Sequence, residues 1–400
     1  MRKIEYCPIS MKKLLTKMKD TSELMVDLGY SAVLYDDQDL AMEVLRLEDK
    51  MDVYDYHAQI SAMLAARSVE DAESLSGILQ IASAAENISN AAGDIAKIVL
   101  FTKGIPYELK KDLRLADETV TRNVVRPKAK VVGKSLADLK FEIETGMRVI
   151  AIRRGESWIY DPDPETVLKV EDIVFARGHD EGLPLLAEMI TGEPFAHRVE
   201  EASGVEADLA KAVDIIVEMK NRSELAVGLA YMAVLFENKD VAQEVDQIEG
   251  EIDAMRAVLQ RWVLEAAKHV EEVEILRGLL ILSASTETIS DAALKISNVV
   301  LRDVEPHPIL AMAIRESDEI ITRVEIGAGA EMDGKSLKDL ELETETGMYV
   351  LAIKRGGRWT YNPRSKTTLE AGDLLFARGS RGGEELLQEM SLPHRINSKL

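Results

Sequence analysis

Gly133-Lys134-Ser135-Leu136-Ala137-Asp138-Leu139 returns as Gly334-Lys335-Ser336-Leu337-Lys338-Asp339-Leu340, and Phe175-Ala176-Arg177-Gly178 returns as Phe376-Ala377-Arg378-Gly379. Both returns come 201 residues later, and that offset holds without a gap from about Leu24 to Met189. The chain is one unit written twice. Repeats of about 20 to 50 residues signal solenoids, whereas a unit of about 200 residues is long enough to bury its own core and hold one or two domains. Residues kept in both copies mark what the unit needs, for folding or for function.

The segment around the quoted stretch has the rhythm of short strands. Runs of β-branched and aromatic residues at 120–132, 148–153, 157–160 and 173–176 are punctuated by Gly, Pro and Asp. Short amphipathic helices are expected near 135–140 and 181–189. Together they predict a small α+β domain, with a twin over 321–390. In the twin, Tyr349-Val350-Leu351-Ala352-Ile353 replaces Arg148-Val149-Ile150-Ala151-Ile152 as the central strand. Upstream, residues 11–113 have apolar positions three or four apart in long segments rich in Ala, Leu, Glu and Met. This predicts helices over 9–35, 38–66 and 69–101, and over 207–236, 239–268 and 270–301 in the second copy. Turns as short as Asp36-Asp37-Gln38-Asp39 make each set an antiparallel up-down-up bundle. A linker is expected over 190–205, which holds Gly192, Pro194 and Gly204. The expected fold class is therefore α+β: helical bundles at 1–112 and 194–313, each followed by a small α+β domain, at 113–193 and 314–393.

Composition removes several function classes. A net charge of −22, from 71 acidic and 49 basic residues, opposes a nucleic-acid surface, which needs clustered Lys and Arg. A hydrophobic share of 46% with 30% charged residues fits packed domains rather than an acidic disordered chain. The longest apolar runs, at 278–284 and 229–236, fall short of the roughly 20 residues that span a bilayer. No secretory h-region is evident in the first residues, and the single cysteine, Cys7, fits a reducing cytoplasm.

Candidate chemistry lies in two places. Glu48 and Asp52, with Glu86 and Asn90, and in the second copy Glu249 and Asp253, with Glu287 and Asp291, stand one helical turn apart. Positions i and i+4 share a helix face, so two such pairs on adjacent helices can surround a hard cation with oxygen ligands. The alternative is a solvated acidic face, the usual place for charge. Asn90 replaces the second carboxylate of the first copy, which weakens a site there. The basic pairs Arg153-Arg154 and Lys354-Arg355 follow the central strands and would present four cations to a small anionic effector if two such domains pair by a two-fold axis; the alternative is that Arg154 and Arg355 merely solvate an edge turn. Trp158, Tyr160, Trp359 and Tyr361 have the spacing of a packed strand face. His57, His179, His197, His269, His307 and His394 have no counterpart at the repeat offset, which argues against a histidine site built into both units. No recurring Ser, Cys or Lys lies in a nucleophile motif, and no Gly-x-Gly-x-x-Gly follows a strand.

The string from Gly133 to Gly155, with Trp158, Pro162, Val170-Glu171-Asp172 and Ile173 to Gly178, resembles the RCK-C, or TrkA-C, domain of regulators of potassium conductance. The second copy matches likewise, with Ala371-Gly372-Asp373 at the turn. The acidic helical pairs resemble the Glu/Asp-x-x-x-Asp motif of PhoU proteins. The first resemblance implies a ligand-sensing or pairing domain; some members bind cyclic dinucleotides, but Glu142 and Glu343 stand where those members hold a phosphate with Arg. The second implies a divalent or iron-type metal ion in the bundles. Together they imply a non-enzymatic cytoplasmic regulator at a membrane cation channel or transporter, active as a homodimer or intramolecular pseudo-dimer. The alternative is a metal-binding regulator of phosphate uptake that uses its small domains only to dimerise.

Overall fold

A computed structural model describes residues 6–102, 104–113, 118–193, 207–268, 273–302 and 306–393. Its helices gather into one compact unit and its two sheets into another, each unit drawing on both copies.

The helical unit contains α1 (Met11–Tyr35), α2 (Gln38–Ala65), α3 (Val69–Phe101) and α4 (Tyr107–Leu113), and from the second copy α8 (Ala207–Phe236), α9 (Lys239–Ala266), α10 (Val273–Leu301) and α11 (Ile309–Arg315). Helix starts follow the sequence signals: Ser10, Asp37, Ser68 and Asn238 each accept a hydrogen bond from a backbone N–H of the first turn. Asp37 and Asn238 are equivalent positions, so one cap serves both copies. The short helices α4 and α11 follow Pro106 and Pro308 and were not anticipated as separate elements.

Within each copy the three long helices pack on one another, and α3 packs along α10 to join the copies. The short helices are exchanged: α4 lies on α8, and α11 lies on α1. Close approach at the join requires a glycine, because a Cβ on Gly278 would stand 2.6 Å from the Gly104 carbonyl oxygen.

The second unit contains two four-stranded antiparallel sheets of one topology. In the first, β1 (Thr119–Val124), β2 (Met147–Arg154), β3 (Ser157–Tyr160) and β4 (Ile173–Gly178) lie in the order β1-β4-β2-β3. In the second, β5 (Ile320–Glu325), β6 (Tyr349–Arg355), β7 (Arg358–Tyr361) and β8 (Leu374–Gly379) lie in the order β5-β8-β6-β7. Even the irregularities repeat, with a register shift between Val149 and Ala151 and another between Val350 and Ala352. Short helices complete the modules: α5 (Leu136–Leu139), α6 (Phe141–Thr145) and α7 (Leu183–Thr191) in the first, α12 (Leu342–Thr346) and α13 (Arg381–Ser391) in the second. Each module buries its own core, built around Phe141, Met147 and Leu186 in one and Leu342, Met348 and Leu387 in the other.

The aromatic strand residues pack as expected. Trp158 lies 5.5 Å from Phe175, and Trp359 lies 5.3 Å from Phe376, between ring centroids. The expected linker begins later than its composition suggested, because α7 runs through Thr191 and ends on Gly192 at φ 73°; the rest of it, from 194, lies outside the described residues, as does the predicted start of the third helix of copy two at 270.

Candidate functional site

The acidic helix positions form a cluster in each copy. In the first, Glu48 on α2 rests against α3 where Gly93 leaves room: a Cβ there would stand 2.3 Å from the Glu48 Oε2 atom. Its other oxygen lies 3.4 Å from the Lys97 ammonium, which also pairs with Asp94 at 2.9 Å. Glu86 accepts a 2.6 Å hydrogen bond from the Asn90 amide. Burial pushes the Glu48 carboxyl above the usual range, against the pull of Lys97, with Asp94 and Asp52 adding to the rise. Glu86 is raised by burial and by Asp55 and Asp52.

In the second copy Glu249 and Glu287 each lie within electrostatic reach of Asp253 and Asp291. Glu249 is raised by burial, by Asp253 and Asp291, and by a hydrogen bond shared with Asp291. Glu287 is raised by burial although the Arg256 guanidinium lies 2.8 Å from its Oε1 atom. Lys97 and Arg256 carry no signal in the repeat because neither recurs: Asn298 stands at the offset of Lys97, and Asp55 at that of Arg256. Among the described residues, no three His, Cys, Asp or Glu are placed to hold a metal ion together.

The basic pairs sit at the ends of β2 and β6. Arg154 makes a two-bond fork on Asp172, at 2.8 and 2.7 Å, and donates to the Val167 carbonyl. Arg355 repeats this on Asp373 at 2.8 and 2.8 Å, and donates to the Thr368 carbonyl and to Glu370. Asp172 and Asp373 are each 1% exposed, so both guanidiniums neutralise a buried carboxylate that closes the turn before the last strand. Arg153 faces the Trp158 ring at 5.9 Å, and Lys354 faces the Trp359 ring at 4.8 Å.

A further charge cluster lies where the two modules meet. Arg177 contacts Glu319 and, at 3.7 Å, Glu118; Arg378 contacts Glu118 and, at 3.6 Å, Glu319. All four side chains are buried by more than four fifths, and the two pairs are related by the 201-residue offset. Alongside, α6 and α12 pack together. Gly146 and Gly347, each at φ 66°, end these helices, and a Cβ on Gly146 would meet the Thr344 Cα at 2.8 Å. Glu142 faces Ser380 and is raised by burial, while His179 lies 3.9 Å from Glu343 at the equivalent place. Recurrence of Glu118 with Glu319 and of Arg177 with Arg378 was legible, but their pairing across the copies was not.

Comparison with known proteins matches the TrkA-C domain at residues 120–191 and 321–391 and the PhoU domain at residues 15–99. The chain combines a PhoU domain with two TrkA-C domains. Among curated relatives of its sequence, "Probable potassium channel protein 2" of Methanocaldococcus jannaschii is 29% identical over 83 residues, 21% of this chain and 24% of that protein. "Potassium channel protein 1" of the same organism is 33% identical over 76 residues, 19% of this chain and 22% of that protein. The chain thus spans less than a quarter of the length of these relatives. Of solved structures, PhoU from Pseudomonas aeruginosa aligns at a TM-score of 0.40 and 14% identity, over 73% of this chain and 93% of that one. The GsuK channel bound to NAD aligns at a TM-score of 0.19 and 13% identity, over 80% and 65%. No helix among the described residues is long and apolar enough to cross a membrane.

Proposed function

We propose that this protein is a non-enzymatic regulator of potassium, or another cation's, transmembrane transport. Its TrkA-C pair is the sensing element, and its helical unit contacts the transporter. The observation that supports this reading most is the tandem TrkA-C pair itself, joined through buried reciprocal ion pairs, in a chain whose curated sequence relatives include two potassium channel proteins. A ligand that favours one arrangement of such a pair shifts its population by the difference in affinity between arrangements. In a strain lacking the gene, rubidium or potassium uptake is expected to change by about fivefold or more, the lower end of ordinary allosteric coupling, with phosphate uptake unaltered. Unchanged cation flux in that strain would remove the reading.

A second reading, regulation of phosphate uptake, is favoured by the PhoU match over 15–99. The same strain tests it, since altered phosphate uptake with normal cation flux would establish the second reading at the expense of the first.

A further inference from the structure

PhoU-type acidic bundles imply a metal ion, and the side chains here answer that implication differently. A divalent metal needs several deprotonated oxygens free to converge on one point. In the first copy one Glu48 oxygen is given to Lys97, the other is seated against Gly93, and Glu86 is engaged by the Asn90 amide. In the second, the Arg256 guanidinium lies 2.8 Å from the Glu287 Oε1 atom.

The two copies differ in a telling way. The first copy takes its cation from α3, as Lys97, where the second has Asn298. The second takes its cation from α9, as Arg256, where the first has Asp55 on α2. Different helices therefore bring a cation to a member of each cluster, Lys97 to Glu48 and Arg256 to Glu287, with Lys295 a further positive charge acting on Glu86, although neither Lys97 nor Arg256 recurs. Each cation reaches a member of the set that recurs in both copies, Glu48 or Glu287.

We infer that Lys97 and Arg256 are resident cations that take the place of a metal ion, so that each carboxylate cluster holds a positive charge supplied by the chain itself and the bundle assembles without a divalent metal. The covalently attached charge keeps α2 on α3 and α9 on α10 whatever the metal supply. This stands independently of which transport process the protein serves.

The test uses the full chain purified without chelator, analysed for metal content and then melted with Mn2+, Zn2+ or Fe2+ and with EDTA. The wild type is expected to hold no stoichiometric metal and to melt at the same temperature in every case. Arg256→Asp, which gives the second copy the residue of the first, is expected to melt lower than wild type without metal and to rise by about 5 °C or more when Mn2+ reaches a hundred times its dissociation constant. Arg256→Gln is the milder variant, expected to melt lower with at most a weak metal response. Stoichiometric metal in the wild type that disappears in Glu287→Ala with Asp291→Ala would overturn the inference. So would a wild-type melting temperature for Arg256→Gln at low salt.

Discussion

Two buried tyrosines offer a test of the pseudo-symmetry with an internal control. Tyr30 on α1 donates a 2.9 Å hydrogen bond to Thr286 on α10, whose own hydroxyl proton goes to the Leu282 carbonyl at 2.8 Å. The equivalent phenol, Tyr231, is 1% exposed and its hydroxyl has no hydrogen-bond partner among the described residues, because Ala85 stands at the offset of Thr286. Thr286→Ala should leave Tyr30 in the same state. Losing a partner for a buried hydroxyl costs about 1–3 kcal/mol, and alanine returns about half a kcal/mol of helix propensity, so a net loss of about 1 kcal/mol is expected. Ala85→Thr should do the reverse, gaining about 0.5–1 kcal/mol by giving Tyr231 the hydroxyl partner that Thr286 gives Tyr30. With Trp158 and Trp359 changed to Phe, Trp262 on α9 reports unfolding of the helical unit, whose melting temperature should move about 2–4 °C per kcal/mol. A neutral Thr286→Ala, or an Ala85→Thr that destabilises, would refute the equivalence of the two sites. Burial also pushes both phenols up; their neutral forms contribute stability that is whole below about pH 10 and is lost as pH rises through the raised native values, so melting should fall steeply in alkali.

Replacing Arg378 by Met should cost about 3–5 kcal/mol, the usual effect of orphaning a buried carboxylate, read by Trp158 and Trp359 fluorescence in a Trp262→Phe background; adding Glu118→Gln should recover part of the loss, and additive effects would show that the cluster is not coupled. Gly146→Ala should destabilise the module pair more than Gly155→Ala: both positions have positive φ, near 66° and 61°, but only the first Cβ meets backbone, so equal losses in denaturant would deny the α6–α12 contact. Glu48, Glu86, Glu249 and Glu287 are all raised, so each contributes stability below the unfolded value of about 4.3 that is lost as pH climbs through its native value. The Trp262-reported melting temperature should therefore rise as pH is lowered toward that unfolded value, and the increment should shrink in Glu249→Gln with Glu287→Gln.

A periodicity of amino-acid types is a local property, and what is local was readable here. Helix starts at Asp37, Ser68 and Asn238 follow from side-chain oxygens beside apolar repeats, and the strands of both sheets follow from β-branched runs ended by Gly and Asp turns. The sequence also determined the duplication, and with it the residues each copy must keep. Tertiary structure alone decided which partner each kept residue meets. Arg177 recurs as Arg378 near the end of the last strand, and its carboxylates are Glu118 of its own copy and Glu319 of the other. Arg154 and Arg355 are each committed to an aspartate 18 residues downstream, a separation that strand pairing closes and no sequence period marks. Lys97 and Arg256 were silent because each occurs once. Charges find partners through space at ranges of a few ångströms, so equivalent clusters can receive a cation from different helices, and only the packed chain shows from which.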